Sequence, residues 1–303
     1  MSPLLGAPLR CVLAAAGLAV SLLPRRAEMF LGPLLGRLVL ALGFRRRIAL
    51  ENISHCLPEL GPRGWELLLR KNYEHYGILF FEFLHFFSPL KGHYRAYGAR
   101  ISRLEGLEHL ERANAKGKGV IVVSAHLGFW EMNPVAGALA GVKPTVVTTV
   151  LKPRWLHEKV TAARAEAGVA AAFHPGSVPT VLKALRRGEC VAFMNDQYAR
   201  PPMGLRVRFF GALVDTLAAV APIAARTGAA VVPVAGYRDA EGLCRVRVEP
   251  ELEIDRSSGG VEATTARLAA KVEGWVRKRP EQWLWIHRRF KHVDWNDRSM
   301  ETI

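Results

Sequence analysis

The chain has 303 residues, half of them hydrophobic, with a net charge of +15 and a pI of about 10.1. That length supports a large buried core, and no low-complexity linker divides it. The basic balance points to a polyanionic partner such as nucleic acid, an anionic membrane or a phosphorylated lipid. The four cysteines, Cys11, Cys56, Cys190 and Cys244, are scattered with no C-x-x-C pair, which excludes a disulfide framework and a zinc site.

Cys11 to Leu23 form an apolar run, CVLAAAGLAVSLL, bordered by Arg10 and by Pro24-Arg25-Arg26. A cleaved signal peptide needs a small-x-small site there, and these residues do not supply one. A second apolar stretch, Met29 to Phe44, is broken by Pro33 and Arg37 and ends at Arg45-Arg46-Arg47. The first run falls short of the roughly 20 apolar residues of a spanning helix unless its flanks are counted. Residues 1–47 therefore read as an N-terminal membrane anchor. It is either one span or a helical pair in the interface with arginines at the headgroups. Basic residues beside such an anchor belong on the cytoplasmic side. Residues 48–303 form the second unit.

Ile48 to Leu57 and the aromatic-rich Trp65 to Phe87 have helical spacing. From Ile101 the pattern changes. Strands are predicted at Val120 to Ser124, Thr145 to Leu151, Cys190 to Met194, Ala230 to Ala235 and Cys244 to Val248. Helices are predicted at Trp155 to Ala167, Ser177 to Arg187, Leu217 to Thr227 and Thr264 to Arg279. This alternation predicts an α/β fold with a mostly parallel central sheet flanked by helices. Ligands in such sheets sit at the carboxyl ends of the strands.

Strand Val120 to Ser124 runs directly into Ala125-His126-Leu127-Gly128-Phe129-Trp130-Glu131. His126 thus falls just past a strand's carboxyl end. On one straight helix, His126 and Glu131 would point about 140° apart. They meet only if His126 lies in the loop and Glu131 in the first helical turn, with Gly128 permitting the close approach. A carboxylate that holds an imidazole fixes its tautomer and raises its basicity. The zinc motif H-E-x-x-H and the serine motif G-x-S-x-G are both absent, so neither a metal nor a covalent serine is expected.

The spacing H-x4-E after a strand resembles the signature of glycerolipid acyltransferases. More narrowly, the chain resembles the late acyltransferases of lipid A biosynthesis. The resemblance rests on RRRIALENISHCLPEL (Arg45 to Leu60), IVVSAHLGFWE (Ile121 to Glu131), Asn195-Asp196-Gln197 and PEQWLWIHRRFK (Pro280 to Lys291). It implies a glycerolipid acyltransferase-like fold and a reaction with no cofactor, no metal and no covalent intermediate. His126 would take the proton of a lipid hydroxyl, and Glu131 would orient His126 and stabilise its cation. The oxygen would then attack a thioester of acyl carrier protein or coenzyme A. The developing oxyanion needs donors, which the helix after His126 is placed to offer. Arg164, Asp196 and Gln197 are the matching supporting positions. The implied partners are that thioester donor, a glycolipid acceptor and an anionic bacterial inner membrane, with the catalytic domain on its cytoplasmic face. The same resemblance leaves two alternatives open. One is an acyltransferase for another membrane lipid, such as a glycosylated phosphatidylinositol, an ornithine lipid or a lysophospholipid. The other is a non-catalytic membrane-binding homologue. The chain departs from the family in having Phe129 where Asn is common before the Trp of this motif.

Arg200, Arg206 and Arg208, followed by Phe209 and Phe210, read as a loop over the site. Its arginines suit substrate phosphates and its phenylalanines an acyl groove. Trp283 and Trp285 lie among Arg277-Lys278-Arg279 and His287-Arg288-Arg289-Phe290-Lys291. Such a mix suits nucleic acid or a membrane interface with Trp at headgroup depth. The membrane reading is preferred, and nucleic acid is not an expected partner.

Overall fold

A computed structural model describes residues 3–255, 257, 260–293 and 295. Its first third is helical: α1 (Pro3–Leu22), α2 (Arg25–Ala41), α3 (Arg46–Cys56), α4 (Gly61–Leu84) and α5 (His93–Ile101). Strands and helices then alternate: β1 (Ser102–Glu105), α6 (Leu107–Asn114), β2 (Val120–Ser124), α7 (Met132–Leu139), β3 (Pro144–Thr149), α8 (Arg154–Glu166), β4 (Ala170–His174), α9 (Val178–Arg186) and β5 (Cys190–Met194). A hairpin of β6 (Gly204–Phe209) and β7 (Ala212–Leu217) precedes α10 (Val220–Thr227), β8 (Ala230–Arg238), β9 (Cys244–Val248) and α11 (Gly260–Lys278).

Seven strands form one sheet in the order β1-β9-β8-β2-β5-β3-β4, and β6-β7 stand apart. Every pairing in the large sheet is parallel except β8 with β9. The central strands β2, β5 and β8 are apolar along most of their length because both faces are covered. Alternate side chains sort to opposite faces. Val120, Val232 and Val246 pack with Leu110 of α6 and Ala136 of α7. Ile121, Val191 and Val231 pack with Val181 of α9, Ala224 of α10 and Leu268 of α11.

The α/β fold with a mostly parallel sheet is as the sequence implied, while three details differ. β4 escaped the sequence reading because Ala170-Ala171-Ala172 lacks the β-branched signal. β1, only four residues long, was also missed. The stretch read as a loop over the site is the β6-β7 hairpin. Its alternation puts Val207 and Phe209 inside and Arg206 and Arg208 outside.

The N-terminal helices are part of this packing. α2 crosses α4 at glycines on both sides. A Cβ on Gly36 would strike the Tyr73 carbonyl, and one on Gly77 would strike the Gly32 carbonyl. A buried ionic cluster fastens the crossing. Arg25 reaches Glu28 at 2.6 Å and Glu82 at 2.5 Å, and Arg238 of β8 pairs with both oxygens of Glu82. Among the described residues no single helix is long and apolar enough to cross a membrane. Only α2 and α3 together meet that test, and they are bent by 99°.

Candidate active site

The register of the sheet builds the site. β2 and β5 are parallel neighbours with Ser124 opposite Met194. Two residues beyond that level, His126 and Asp196 stand side by side. The His126 Nδ1–H donates to Asp196 Oδ1 at 2.8 Å, and the His126 backbone N–H donates to Asp196 Oδ2 at 2.9 Å. A third donor, the Trp283 indole N–H, reaches the same Oδ2 at 2.9 Å. Burial would push the Asp196 carboxyl up, but attraction to His126 and these three N–H donors outweigh it. The carboxyl is held below its ordinary range.

His126 thus takes its orientation from Asp196, and the expected His126–Glu131 contact is replaced. Glu131 stands immediately before α7 and, rather than capping it, gives both oxygens to Arg164 of α8. Nε approaches one at 2.9 Å and Nη2 the other at 2.7 Å. The fork of a guanidinium matches a carboxylate edge to edge, so this pair occupies both oxygens of Glu131. Arg164 holds its proton more tightly than usual, because Glu131's attraction exceeds the cost of burial. The backbone between them turns sharply at Gly128, whose φ of 61° is left-handed. A Cβ there would lie 2.8 Å from the Tyr237 Cα, so glycine is required both for the turn and for the close pass of β8.

His126, Glu131 and Arg164 line one cavity of about 450 Å³. It runs along the sheet face beneath α7, past Ser124, Ala192 and Val146, to Leu110, Val142 and Cys190 at the other end of the strands. Its walls are mainly apolar, with charged groups gathered at the His126 end. Small residues, Ala192 in β5 and Gly137 in α7, leave the space open. Gln197 also lines it, with its Nε2 at 3.5 Å from His126 Nε2. Cys190 lines the far end, and burial pushes its thiol up to about 12, so it stays protonated.

The other expected site residues lie elsewhere. Phe209 and Phe210 are buried against Trp283, at ring separations of 5.7 and 6.2 Å, and do not line the cavity. The β6 pleat turns Phe209 into the core and Phe210 reaches it from the turn that follows, with a left-handed φ of 51°, so neither is placed to line an acyl groove in this cavity. Arg200, Arg206 and Arg208 sit on or beside the hairpin's outer side, and none of them lines the cavity. Arg206 faces Asp215 at 3.6 Å, and Arg208 donates to the Gly211 carbonyl. Trp283 and Trp285, expected at headgroup depth, are only 1% and 0% exposed. The N–H groups of Met132 and Asn133 at the start of α7 are already bonded to Phe129 and Trp130 carbonyls. Arg164 is the one arginine or lysine among the cavity's described lining residues, and its fork is paired with Glu131.

Residues 7–292 match the sequence profile of the bacterial lipid A biosynthesis acyltransferases. The chain belongs to this family. It is an acyltransferase. A lipid A biosynthesis palmitoleoyltransferase of Escherichia coli (strain K12) is 28% identical over 277 residues, covering 89% of this chain and 86% of the relative. A lipid A biosynthesis lauroyltransferase of the same organism is 27% identical over 272 residues, covering 86% of this chain and 84% of the relative. A phosphatidylinositol mannoside acyltransferase of Mycolicibacterium smegmatis is 30% identical over 183 residues, covering 58% of each chain.

Proposed function

We propose that this acyltransferase moves a fatty acyl chain from an acyl carrier protein or coenzyme A thioester onto a hydroxyl of a lipid A precursor, with His126 as general base. The observation that carries the reading is the Asp196–His126 pair at the head of an apolar cavity. Asp196 occupies Nδ1, which leaves Nε2 to take the proton of the acceptor hydroxyl. The freed oxygen attacks the thioester carbonyl. Arg164, held by Glu131, faces the oxyanion, and collapse of the tetrahedral intermediate breaks the C–S bond while protonated His126 returns its proton to the departing sulfur, releasing the thiol.

The acyl chain of the donor occupies the cavity. Four strand steps separate Met194 from Cys190, a depth of about 13 Å that suits a chain of roughly ten to twelve carbons. A lipid A precursor is preferred over phosphatidylinositol mannosides because the lipid A relatives align over nearly the whole chain, and the mannoside relative over little more than half.

The acceptor would be met at a bilayer. α1 and α2 present Val12, Leu18, Leu22, Phe30, Leu34 and Leu38 to solvent, with Arg10 exposed within α1, Arg26 at the start of α2 and Arg45 to Arg47 at the turn into α3. An apolar helical face with arginines at its margins suits the anionic cytoplasmic leaflet of the inner membrane. In this reading residues 1–47 lie in the interface and the rest of the chain carries the chemistry.

The test uses the full chain in detergent with acyl carrier protein and coenzyme A thioesters. The offered acceptors are a lipid A precursor lacking secondary chains and a phosphatidylinositol mannoside. Mass spectrometry should find one added acyl chain on the lipid A precursor. His126→Ala should lower turnover by about 10²- to 10⁴-fold. Equal turnover in that variant would remove the base, and acylation of the mannoside alone would replace the acceptor.

A further inference from the structure

We infer that Trp283 is a positioning residue of this site, holding the Asp196 carboxylate through its indole N–H so that Asp196 in turn fixes His126. The inference rests on the reading of His126 as base.

Trp283 comes from a segment 87 residues beyond Asp196, with no motif of its own linking it to the H-x4-E loop. Its indole nitrogen lies 2.9 Å from Asp196 Oδ2, the oxygen that also accepts the His126 backbone N–H. The other oxygen, Oδ1, accepts the His126 ring. Removing the indole N–H takes away the only one of the three donors that does not come from His126, so the carboxylate loses its independent anchor and holds the ring less firmly. At 2% exposure no bulk water replaces the lost donor, so the carboxylate loses the bond outright.

The Trp283 backbone is fixed more firmly than a packing role requires. Its carbonyl accepts Asn72 Nδ2 at 2.8 Å and the Tyr76 hydroxyl at 3.0 Å. Leu127, the residue after His126, forms an isolated antiparallel bridge with Trp283. Gly128 N–H donates to the Gln282 carbonyl at 3.1 Å. The segment is thereby stitched to the loop carrying the base as well as to the carboxylate. Trp285 provides the contrast within the same cluster. It is equally buried and stacks edge-on against Trp283 at 4.7 Å, yet its indole N–H goes to the Pro280 carbonyl.

The two tryptophans can be compared by replacing each with 3-benzothienylalanine, which keeps the bicyclic shape and puts sulfur in place of the N–H. Steady-state acyl transfer and thermal unfolding are then measured on the full chain. The expected result at position 283 is a fall in kcat of roughly 10- to 100-fold, the size of one lost bond to a charged acceptor. KM for the thioester should stay at its wild-type value. The same replacement at position 285 should leave kcat unchanged. Trp283→Phe should show the same kcat loss with an added drop in melting temperature. Wild-type kcat in the position-283 analogue would overturn the inference, and so would equal kcat losses at both positions. His126→Ala in the same assay separates the two claims. If it retains turnover, the base itself is wrong. If it is inactive while the position-283 analogue is at full rate, only the role of Trp283 is lost.

Discussion

Two centres in this protein bury charge, and they differ in what surrounds them. At the cavity, His126–Asp196 and Glu131–Arg164 face empty apolar space. At the crossing of α2, α4 and β8, Arg25, Glu28, Glu82, Arg238 and His75 are closed in by helices, with their polar atoms turned mostly on one another. Burial and ion pairing are therefore shared by the proposed reactive centre and a structural one. What separates them is a cavity that a substrate can enter. The closed cluster costs desolvation and returns specificity of packing, since it ties the first two helices to the sheet.

Breaking one carboxylate in each centre gives the largest contrast. Glu82→Gln removes the partner of two buried guanidinium groups and should cost about 3–5 kcal/mol of stability. Thermal unfolding in detergent reads that loss, and turnover per folded molecule should stay close to wild type. Glu131→Gln should do the reverse, lowering kcat about 10²-fold with a smaller loss of melting temperature. If Glu82→Gln instead lowers turnover per folded molecule as much as Glu131→Gln does, the two centres are not functionally distinct.

Acid sharpens the comparison at the next level. His75 has its imidazole pKa well below the usual value, because burial penalises the cation and Arg238 repels it. The unfolded chain binds a proton at an ordinary histidine pKa of about 6.5, whereas the folded chain refuses it. Stability from this group is complete above that pH and falls below it, by up to about 1.4 kcal/mol per pH unit. Melting temperature should therefore drop between pH 7 and pH 5, and His75→Gln should flatten the slope. An unchanged slope in that variant would assign the acid sensitivity elsewhere.

The smallest effect tests the cavity alone. A Cβ at Gly137 would sit 3.7 Å from Val142 Cβ, at the end of the cavity far from His126. Gly137→Leu should fill that end, shortening the preferred donor by a few carbons while short donors keep their rate. Competition between thioesters of graded length would show the shift, and an unaltered preference would mean that the chain binds elsewhere.

Much of this was legible in the sequence. VIVVS followed by His126 announced a buried strand ending at a site, and Asp196 stood out after a second strand. Which carboxylate holds the imidazole was not legible. Glu131 is five residues away along the chain and Asp196 is seventy, but hydrogen-bonded strands bring the distant one to the same level. Sequence distance favoured the wrong neighbour, and only register decides it. The hairpin was misread for a different reason. Arg206-Val207-Arg208-Phe209 is a period-two pattern, yet its arginines were read for their charge, and the alternation that buries Phe209 was passed over. Trp283 was assigned to lipid on composition, because nothing local shows that its N–H has a carboxylate to meet.

The parallel ladder between β2 and β5 has a mechanical consequence. His126 and Asp196 sit in the loops two residues past its last rung, Ser124 opposite Met194, and their own hydrogen bonds carry that alignment beyond the paired backbone. Glu131 and Arg164, by contrast, belong to the start of α7 and the last turn of α8, so the two ion pairs at the head of the cavity are held by different layers of the fold, one by the sheet and one by the helices above it.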